Sequence, residues 1–413
     1  MEQAENHDAM AERKNSFRWV VLALLFLNTF FVFLATYSIP PLLKEIGEEI
    51  PLTKAGMGMI MGMITIPSLF FSLIGGGITD KVGARYAFGV AVLIVGIAGA
   101  FRSIAGSAYA LGVCMLFIGL GMATLGPIFP KALAMWFPPK EFAMANGICM
   151  VSMPLALTLA MGSAAGILSP VFGGWRNVMA VLGIANCITA ILWIVMFREG
   201  RRHEESQEGR QSILENFKKV FRVKDIWWAS VFYSLNMIGV MSIFTLLPQS
   251  LSERGMTTAM AGIFVAILTG TNSVFKVVGG TLSDRTGKRK PFLFISSILL
   301  GLSILGFSSF TGIPLIVALV IGGAAMGTIS PIFMAILVET KGIGAALTGT
   351  TVGLIFMVGN VFGFVGPVVS GKLMDVTGAQ WPGFLFMGLA YILASFFILP
   401  VRETGKGRKR KHD

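Results

Sequence analysis

Long apolar runs dominate this chain and limit what it can fold into more than any other feature. A helix needs about 20 mostly apolar residues to cross a bilayer. Twelve such runs follow one another along the sequence. They lie at roughly 17–38, 56–78, 86–103, 108–136, 142–168, 175–197, 227–249, 258–279, 291–310, 313–338, 345–371 and 381–400. The sequence therefore predicts an all-α membrane protein with twelve transmembrane helices.

The composition agrees with that prediction. Of the 413 residues, 54% are hydrophobic and only 13% are charged, whereas a soluble domain carries about 25% charged residues. Charge this sparse excludes an ordinary water-soluble protein, and the abundance of apolar residues excludes a disordered chain. All three cysteines lie in apolar runs, so no disulfide framework is predicted.

The placement of the positive charges predicts which way the chain crosses the membrane. Lys276 lies inside a span, and most of the 33 Lys and Arg residues lie in the termini and the even-to-odd loops. Only six lie in or beside the odd-to-even loops: Lys44, Lys54, Arg102, Arg176, Arg254 and Lys372. Cytoplasmic loops carry the excess of positive charge, so both termini are predicted to be cytoplasmic. The net charge of +12 then reflects topology and the lipid bilayer as a partner, not nucleic acid.

The two halves of the chain repeat each other. The motif Gly76-x-x-x-Asp80-Lys81-x-Gly83-x-Arg85 returns later as Gly280-x-x-x-Asp284-Arg285-x-Gly287-x-Arg289. Four further blocks recur in the same order. The predicted domains are a tail at 1–16, a six-helix bundle at 17–197, a linker with an amphipathic helix at 198–226, a second bundle at 227–401 and a basic tail at 402–413. A binding site is expected between the bundles, near the midplane of the membrane.

With these motifs the sequence resembles the major facilitator superfamily over nearly its whole length. The loop motif between spans 2 and 3, with its copy between spans 8 and 9, is the most specific element of the resemblance. The resemblance implies a major facilitator fold and a carrier that alternates access to its site. It also implies that the ten motif residues named above have a gating role. We expect a functional monomer in the bacterial inner membrane.

The chemistry of the motif can be argued from its residues. Asp80 and Asp284 each end a helix at the predicted cytoplasmic surface and are followed by a glycine and basic residues. An aspartate in this position can face the N-terminus of a helix in the other half, where the helix dipole favours negative charge. The motif therefore predicts a latch between the halves. The alternative is a charged loop that only stops the helix at the membrane surface.

Lys276 is the main candidate for binding a substrate. It lies eight residues before Asp284, or about 12 Å inside the membrane. Charges there are costly and usually functional. Every Asp, Glu and His falls in a loop, a terminus or the end of a span, so the counter-ion is expected to be an anionic substrate. The alternative is that Lys276 extends towards the cytoplasm.

Other polar residues can complete the site. Lys131 is a second candidate cation, although it can also extend to the interface near Trp136. The remaining candidates on spans 1, 7, 8 and 11 are Asn28, Tyr37, Tyr233, Asn236, Asn272 and Asn360. Each can instead make interhelical hydrogen bonds. The segment from Asn272 to Gly280 is similar to span 8 of oxalate/formate exchangers, nitrate porters and monocarboxylate porters. Arg102 is expected to be an anchor at the outer end of span 3.

The sequence thus predicts a transporter of a small organic anion, a mono- or dicarboxylate, working by exchange, uniport or proton-linked transport. A carrier of amphipathic drugs or of a neutral solute is the alternative. No metal-ligand cluster, catalytic triad or phosphate loop is present in the sequence, so no enzyme, metal or cofactor is predicted.

Overall fold

A computed structural model describes residues 2–71, 82–197, 219–340 and 344–405, with most side chains from Phe17 onward. The prediction of twelve apolar helices is confirmed. Eleven helices of the described chain are long and apolar enough to cross a membrane, and the twelfth is an apolar helix of 17 residues. Their bounds are α1 Phe17–Glu49, α2 Lys54–Phe71, α3 Ala84–Ile104, α4 Ala108–Ala134, α5 Met144–Phe172, α6 Trp175–Met196, α7 Lys224–Glu253, α8 Thr258–Thr286, α9 Lys290–Ser309, α10 Gly312–Glu339, α11 Gly344–Thr377 and α12 Trp381–Phe397.

The first span extends further than its apolar run predicted. A turn at Ser38 interrupts α1, and a second helical segment then runs from Ile39 to Glu49. Pro40 lies in the first turn of that segment, where a missing backbone N–H breaks no helical hydrogen bond. Pro40 therefore does not end the span, and the helix continues after the turn at Ser38.

Glycines bring corresponding pairs of helices together in the two halves. In the first half, a Cβ on Gly183 of α6 would lie 2.2 Å from the Ala100 nitrogen of α3. In the second half, a Cβ on Gly388 of α12 would lie 2.9 Å from the Gly301 oxygen of α9. Such contacts allow backbones to approach closely, as small residues do in membrane bundles. The sequence repeat is therefore also a repeat of packing.

The halves meet on the side opposite the termini. We call this the far side, and the side that holds the termini the terminal side, which the charge bias predicts to be cytoplasmic. On the far side, a Cβ on Gly166 of α5 would lie 2.6 Å from the Ala259 Cβ of α8. Between α2 and α11, a Cβ on Gly58 would lie 2.3 Å from the Pro367 oxygen. The far side is therefore closed.

The terminal ends of the halves are held differently. Arg18 pairs with Glu141 inside the first half, at 2.8 Å. Arg289 pairs with Glu339 inside the second half, at 2.9 Å. Within the described ranges, the ion pairs on the terminal side all stay inside one half. The described ion pair that joins the two halves, Lys54 with Glu253, lies on the far side instead.

Candidate transport site and gates

Lys276 lies on the face of α8 that points towards the other half. Gly262, about four turns earlier on that helix, packs against the Met161 carbonyl of α5. Among the glycine contacts between α5 and α8, the one nearest the terminal side joins Gly162 and Ala266. Lys276 lies ten residues, or about 15 Å, further along α8 towards the terminal side. The Lys276 side chain is half-buried, and within the described chain it has no hydrogen bond or ion pair. It is therefore an unpaired cation beyond the point where the halves close.

Asn272 adds a second free donor next to Lys276. The two residues are one helical turn apart and share a face, with about 5–6 Å between their Cβ atoms. The backbone of Asn272 is packed tightly, because a Cβ on Gly327 of α10 would lie 2.3 Å from its carbonyl oxygen. Its side-chain amide has no hydrogen-bond partner among the described residues. An ammonium and an amide in this arrangement can together bind one carboxylate.

A stack of aromatic rings lies on the other side of α10. The Tyr233 ring lies between those of Phe333 and Phe356, with centroid distances of 5.4 and 5.0 Å and interplanar angles of 13° and 14°. The Tyr233 ring also lies on Gly359, where a Cβ would be 2.3 Å from its Cδ1 atom. Asn360 follows that glycine and is half-buried. We call Phe333, Tyr233 and Phe356 the aromatic stack.

Helix α10 lies between α8, which carries Lys276, and the aromatic stack. Gly280, one turn after Lys276, would place a Cβ 3.7 Å from the Pro331 ring. Phe333 follows Pro331 by two residues on the same helix. The structure therefore places four of the predicted site residues in the second half, with Lys276 and Asn272 on one face of α8 and Tyr233 and Asn360 on the other side of α10.

The two repeat-related asparagines already bond within their own helices. The amide nitrogen of Asn28 donates to the Leu24 carbonyl, and that of Asn236 donates to the Phe232 carbonyl, both at 2.7 Å. Both residues are buried. The amide oxygen of Asn28 has no partner in the described chain. Substrate binding by these two residues stays a prediction.

The two remaining candidates lie away from this region or outside the described residues. Tyr37 takes part in the contact between the halves, with its ring 6.1 Å from that of Phe244 at an angle of 74°. The side chain of Lys131 is outside the described residues. Their substrate roles also stay predictions.

The second copy of the gating motif forms an ionic cluster within its own half. Asp284 Oδ1 lies 2.6 Å from Arg289 Nη1, and Glu339 Oε1 lies 2.9 Å from Arg289 Nη2. The hydrogen bond that Arg289 donates to Glu339 raises the pKa of its guanidinium. Gly287 ends α8 with a left-handed backbone, φ 62°, while Arg285 is exposed. In this conformation Asp284 is thus bound within its own half, and its latch to the other half stays a prediction.

The first copy is described only in part. Gly76, Asp80 and Lys81 lie outside the described residues. Gly83 has a φ of 85°, and the Arg85 guanidinium donates to the Ile194 carbonyl at 2.5 Å. This motif therefore ties α3 to α6.

Sequence reasoning missed a capping carboxylate on the terminal side. The Glu403 carboxylate accepts hydrogen bonds from the backbone N–H groups of Arg289 and Lys290, at 2.8 and 3.1 Å. These groups begin α9, where helical N–H groups have no partner inside the helix. The signal in the sequence was the repetition of Arg198-Glu199 as Arg402-Glu403.

A well-formed cavity lies outside the site. It has a volume of about 670 Å³ and lies between the far ends of α3 and α4. Its lining is apolar and includes Ile97, Phe101, Tyr109 and Phe117. Because all four side chains are exposed on the outside of the bundle, this cavity faces lipid and does not define the transport site.

Comparison with known proteins decides the family. The family model of the Major Facilitator Superfamily matches residues 25–274 and 233–413 of this chain. This chain belongs to the major facilitator superfamily. Its fold agrees with that of a solved bacterial homologue of the human lysosomal transporter Spinster, described as inward-facing and occupied. The TM-score is 0.77 over 93% of this chain and 97% of that chain, at 17% sequence identity.

Two relatives are named as anion transporters. The chain is 23% identical to the hexuronate transporter of Bacillus subtilis over 396 residues, which cover 92% of this chain and 93% of that protein. It is 25% identical to the probable sulfoacetate transporter SauU of Cupriavidus necator over 418 residues, covering 93% and 94%. This protein is thus a multi-pass inner-membrane transporter and not an enzyme.

Proposed function

We propose that this protein carries a small organic anion, a carboxylate, across the inner membrane by alternating access. The observation that carries the proposal is Lys276, a cation inside a membrane span that has no partner in the described part of the chain. A buried charge without a counter-charge is costly. An anionic substrate supplies that counter-charge, and the amide of Asn272 adds a donor for the same carboxylate.

Two further observations support an anionic substrate. The relatives named above are described as transporters of hexuronate and, with the qualifier "probable", of sulfoacetate, both of which are anions. The acidic residues of the sequence lie in loops, termini or the ends of spans, so a cationic substrate would find no counter-charge in the middle of the membrane. Exchange or uniport is favoured over a proton symport that depends on a buried carboxylate.

Counterflow in liposomes tests the proposal. Purified protein is reconstituted, loaded with one carboxylate and assayed for exchange against a labelled panel of carboxylates. We expect Lys276→Ala to abolish exchange and Lys276→Arg to retain part of it. Lys44→Ala is the matched control, because Lys44 is an exposed lysine at the far end of α1, and it should keep full activity. Full exchange by the Lys276→Ala variant would contradict the proposal.

A further inference from the structure

We infer that Arg102 is a positioning residue for transport: it holds α1 at its interruption, so that the Tyr37 ring meets Phe244 and seals the far end of the path between the halves. This inference rests on the alternating access of the proposed function and not on the choice of substrate. A buried charge, an interrupted helix and a contact between the halves carry it.

Arg102 is a buried cation that the proposed function leaves unused. Its side chain is fully buried near the far end of α3, and within the described chain no carboxylate pairs with it. Its guanidinium donates to the carbonyls of Ala35 on α1 and Gly99 on its own helix, at 3.0 and 3.2 Å, and lies 3.8 Å from the Met115 sulfur of α4. A buried charge without a counter-charge is costly. The backbone carbonyls therefore compensate this charge, and the charge ties α3 to α1.

The carbonyl that Arg102 binds lies where α1 is interrupted. Ala35 belongs to the last turn before Ser38. The two prolines that follow have no backbone N–H, so the carbonyls four residues before them, at Thr36 and Tyr37, lose their helical partners. Free carbonyls at the end of a helix carry a partial negative charge that favours a cation. Arg102 therefore caps the first segment of α1 and fixes its end against α3.

The end of this segment carries the ring that meets the other half. The Tyr37 ring stacks on that of Phe33, with centroids 6.2 Å apart at 8°, and meets that of Phe244 on α7 at 6.1 Å and 74°. Both Tyr37 and Phe244 are buried. Because Tyr37 follows Ala35 by two residues in the same turn, a shift of the Ala35 carbonyl also moves the Tyr37 ring.

The contact between Tyr37 and Phe244 lies near the axis that relates the halves. Pro40 of α1 recurs 208 residues later as Pro248 of α7, so Phe244 corresponds to Thr36, the neighbour of Tyr37. Parallel repeats are related by an axis along the membrane normal. Residues at nearly corresponding positions of the two repeats can touch only close to that axis. The path between the halves follows the same axis, and the two rings therefore close its far end.

Labelling of an engineered cysteine from the far side tests the inference. The three native cysteines are replaced by serine, and Phe30→Cys, on the face of Tyr37 and about 10 Å nearer the terminal side, reports access. Intact cells receive a membrane-impermeant thiol reagent, which arrives from the far side because the termini are predicted to be cytoplasmic. We expect Arg102→Met to raise the labelling rate at least about fivefold, as the loss of a helix cap changes a two-state population. An unchanged rate would overturn the inference.

Asn186→Leu is the matched control for Arg102→Met. Asn186 is also fully buried, and its amide donates to another α1 carbonyl of the same half, that of Phe31, at 3.1 Å. Phe31 lies well before the interruption, so we expect this variant to leave labelling unchanged. An equal rise in both variants would show that loosened packing admits the reagent, and would overturn a specific role for Arg102.

Tyr37→Ala tests whether Arg102 acts through the Tyr37 ring. This variant should raise labelling as Arg102→Met does, and the double variant should give no further rise. Rises that multiply in the double variant would show independent action and overturn the inference. The elution profile and melting temperature report folding, and Arg102→Gln, with the same expected rise, replaces Arg102→Met should that variant not fold. Because labelling needs no substrate, a negative result here is distinct from a failure of counterflow, which would overturn the anion carrier.

Discussion

The Asp375 carboxylate, at the far end of α11, accepts a hydrogen bond from the backbone N–H of Lys54, the first residue of α2, at 3.0 Å. It accepts a second from the N–H of Ala55 at 2.9 Å. Asp375 thus caps a helix of the other half, where free N–H groups and the helix dipole favour a negative charge. Because the cap crosses between the halves, it exists only while the far side is closed. It has the form that the sequence predicted for the gating motif, on the opposite side of the membrane.

Replacing Asp375 by alanine should therefore favour opening of the far side. Losing a capping side chain costs about 1 kcal/mol, which corresponds to about a fivefold change in a two-state population. In the Asp375→Ala variant, we expect a larger fraction of molecules than in the unmutated protein to show long far-side distances between spin labels on α2 and α11. Electron spin resonance measures these distances, in a background where the three native cysteines are replaced by serine.

Glu49→Ala is the matched control for the Asp375 variant. Glu49 is also a far-side carboxylate with two donors, the Trp175 indole at 3.1 Å and the Arg176 guanidinium at 2.8 Å. Both donors belong to its own half, so this cluster persists in either conformation. An equal shift in both variants would show that Asp375 does not act through its contact between the halves.

The Lys54–Glu253 ion pair should contribute less to far-side closure than Asp375 does. Lys54 Nζ lies 2.8 Å from Glu253 Oε2, with side chains 19% and 34% exposed. Partly exposed pairs contribute about 0.2–1 kcal/mol and are screened by salt. We expect Glu253→Gln to shift the distance distribution less than Asp375→Ala in low salt, and hardly at all in 1 M salt. The charge exchange of Lys54→Glu with Glu253→Lys should restore closure, and a larger effect of Glu253→Gln than of Asp375→Ala would contradict this ranking.

The fold could be predicted from the sequence because hydrophobic length and positive charge act locally. Twelve apolar runs and a repeated motif identify the spans and the two halves without any knowledge of their contacts. Contacts between distant helices could not be predicted in this way. Nothing in the local sequence pairs Asp375 with the first turn of α2, and the two elements are joined only when the halves close. The continuation of α1 from Ile39 to Glu49 was also missed, because the two prolines after Ser38 usually end a helix.

For the site, the sequence identified the chemistry better than the geometry. Lys276 stands out because a charge in an apolar run needs no structural context to be unusual. Arg102 was expected to be an interfacial anchor, but it is fully buried and held by the Ala35 carbonyl of α1. The cause is a contact between helices, in which the guanidinium reaches the backbone of α1, and a single apolar run does not reveal such a contact. For the asparagines, the sequence could not tell a substrate ligand from a side chain that bonds to its own helix.

A methyl group on Gly58 should prevent the far side from closing without unfolding either half. In this conformation the added Cβ would lie 2.3 Å from the Pro367 oxygen of the other half, and backbone atoms cannot accommodate that distance. Gly58→Ala should therefore favour the far-side-open state in the spin-label measurement. Its melting temperature should change little, because alanine is the better helix former by about 1 kcal/mol.

Gly183→Ala gives the opposite pattern and serves as the control. Its Cβ would lie 2.2 Å from the Ala100 nitrogen within the first half, so the strain is present in both conformations. We expect a lower melting temperature and an unchanged ratio of conformations. Should Gly58→Ala lower the melting temperature as Gly183→Ala does, its contact would belong to the stability of the fold and not to gating.

Removing Arg289 should weaken the terminal-side cluster of the second half. Arg289 is buried between Asp284 and Glu339, and its raised pKa keeps it charged at any physiological pH. Arg289→Ala leaves two carboxylates facing each other. Because both are partly exposed, solvent screens their repulsion, and we expect a loss of about 1–3 kcal/mol in stability. The measurement is the melting temperature in detergent, where Arg289→Lys should recover part of the loss. Arg285→Ala, at an exposed neighbouring position, should change stability by less than about 0.5 kcal/mol, and equal losses in both variants would exclude a specific role for the cluster.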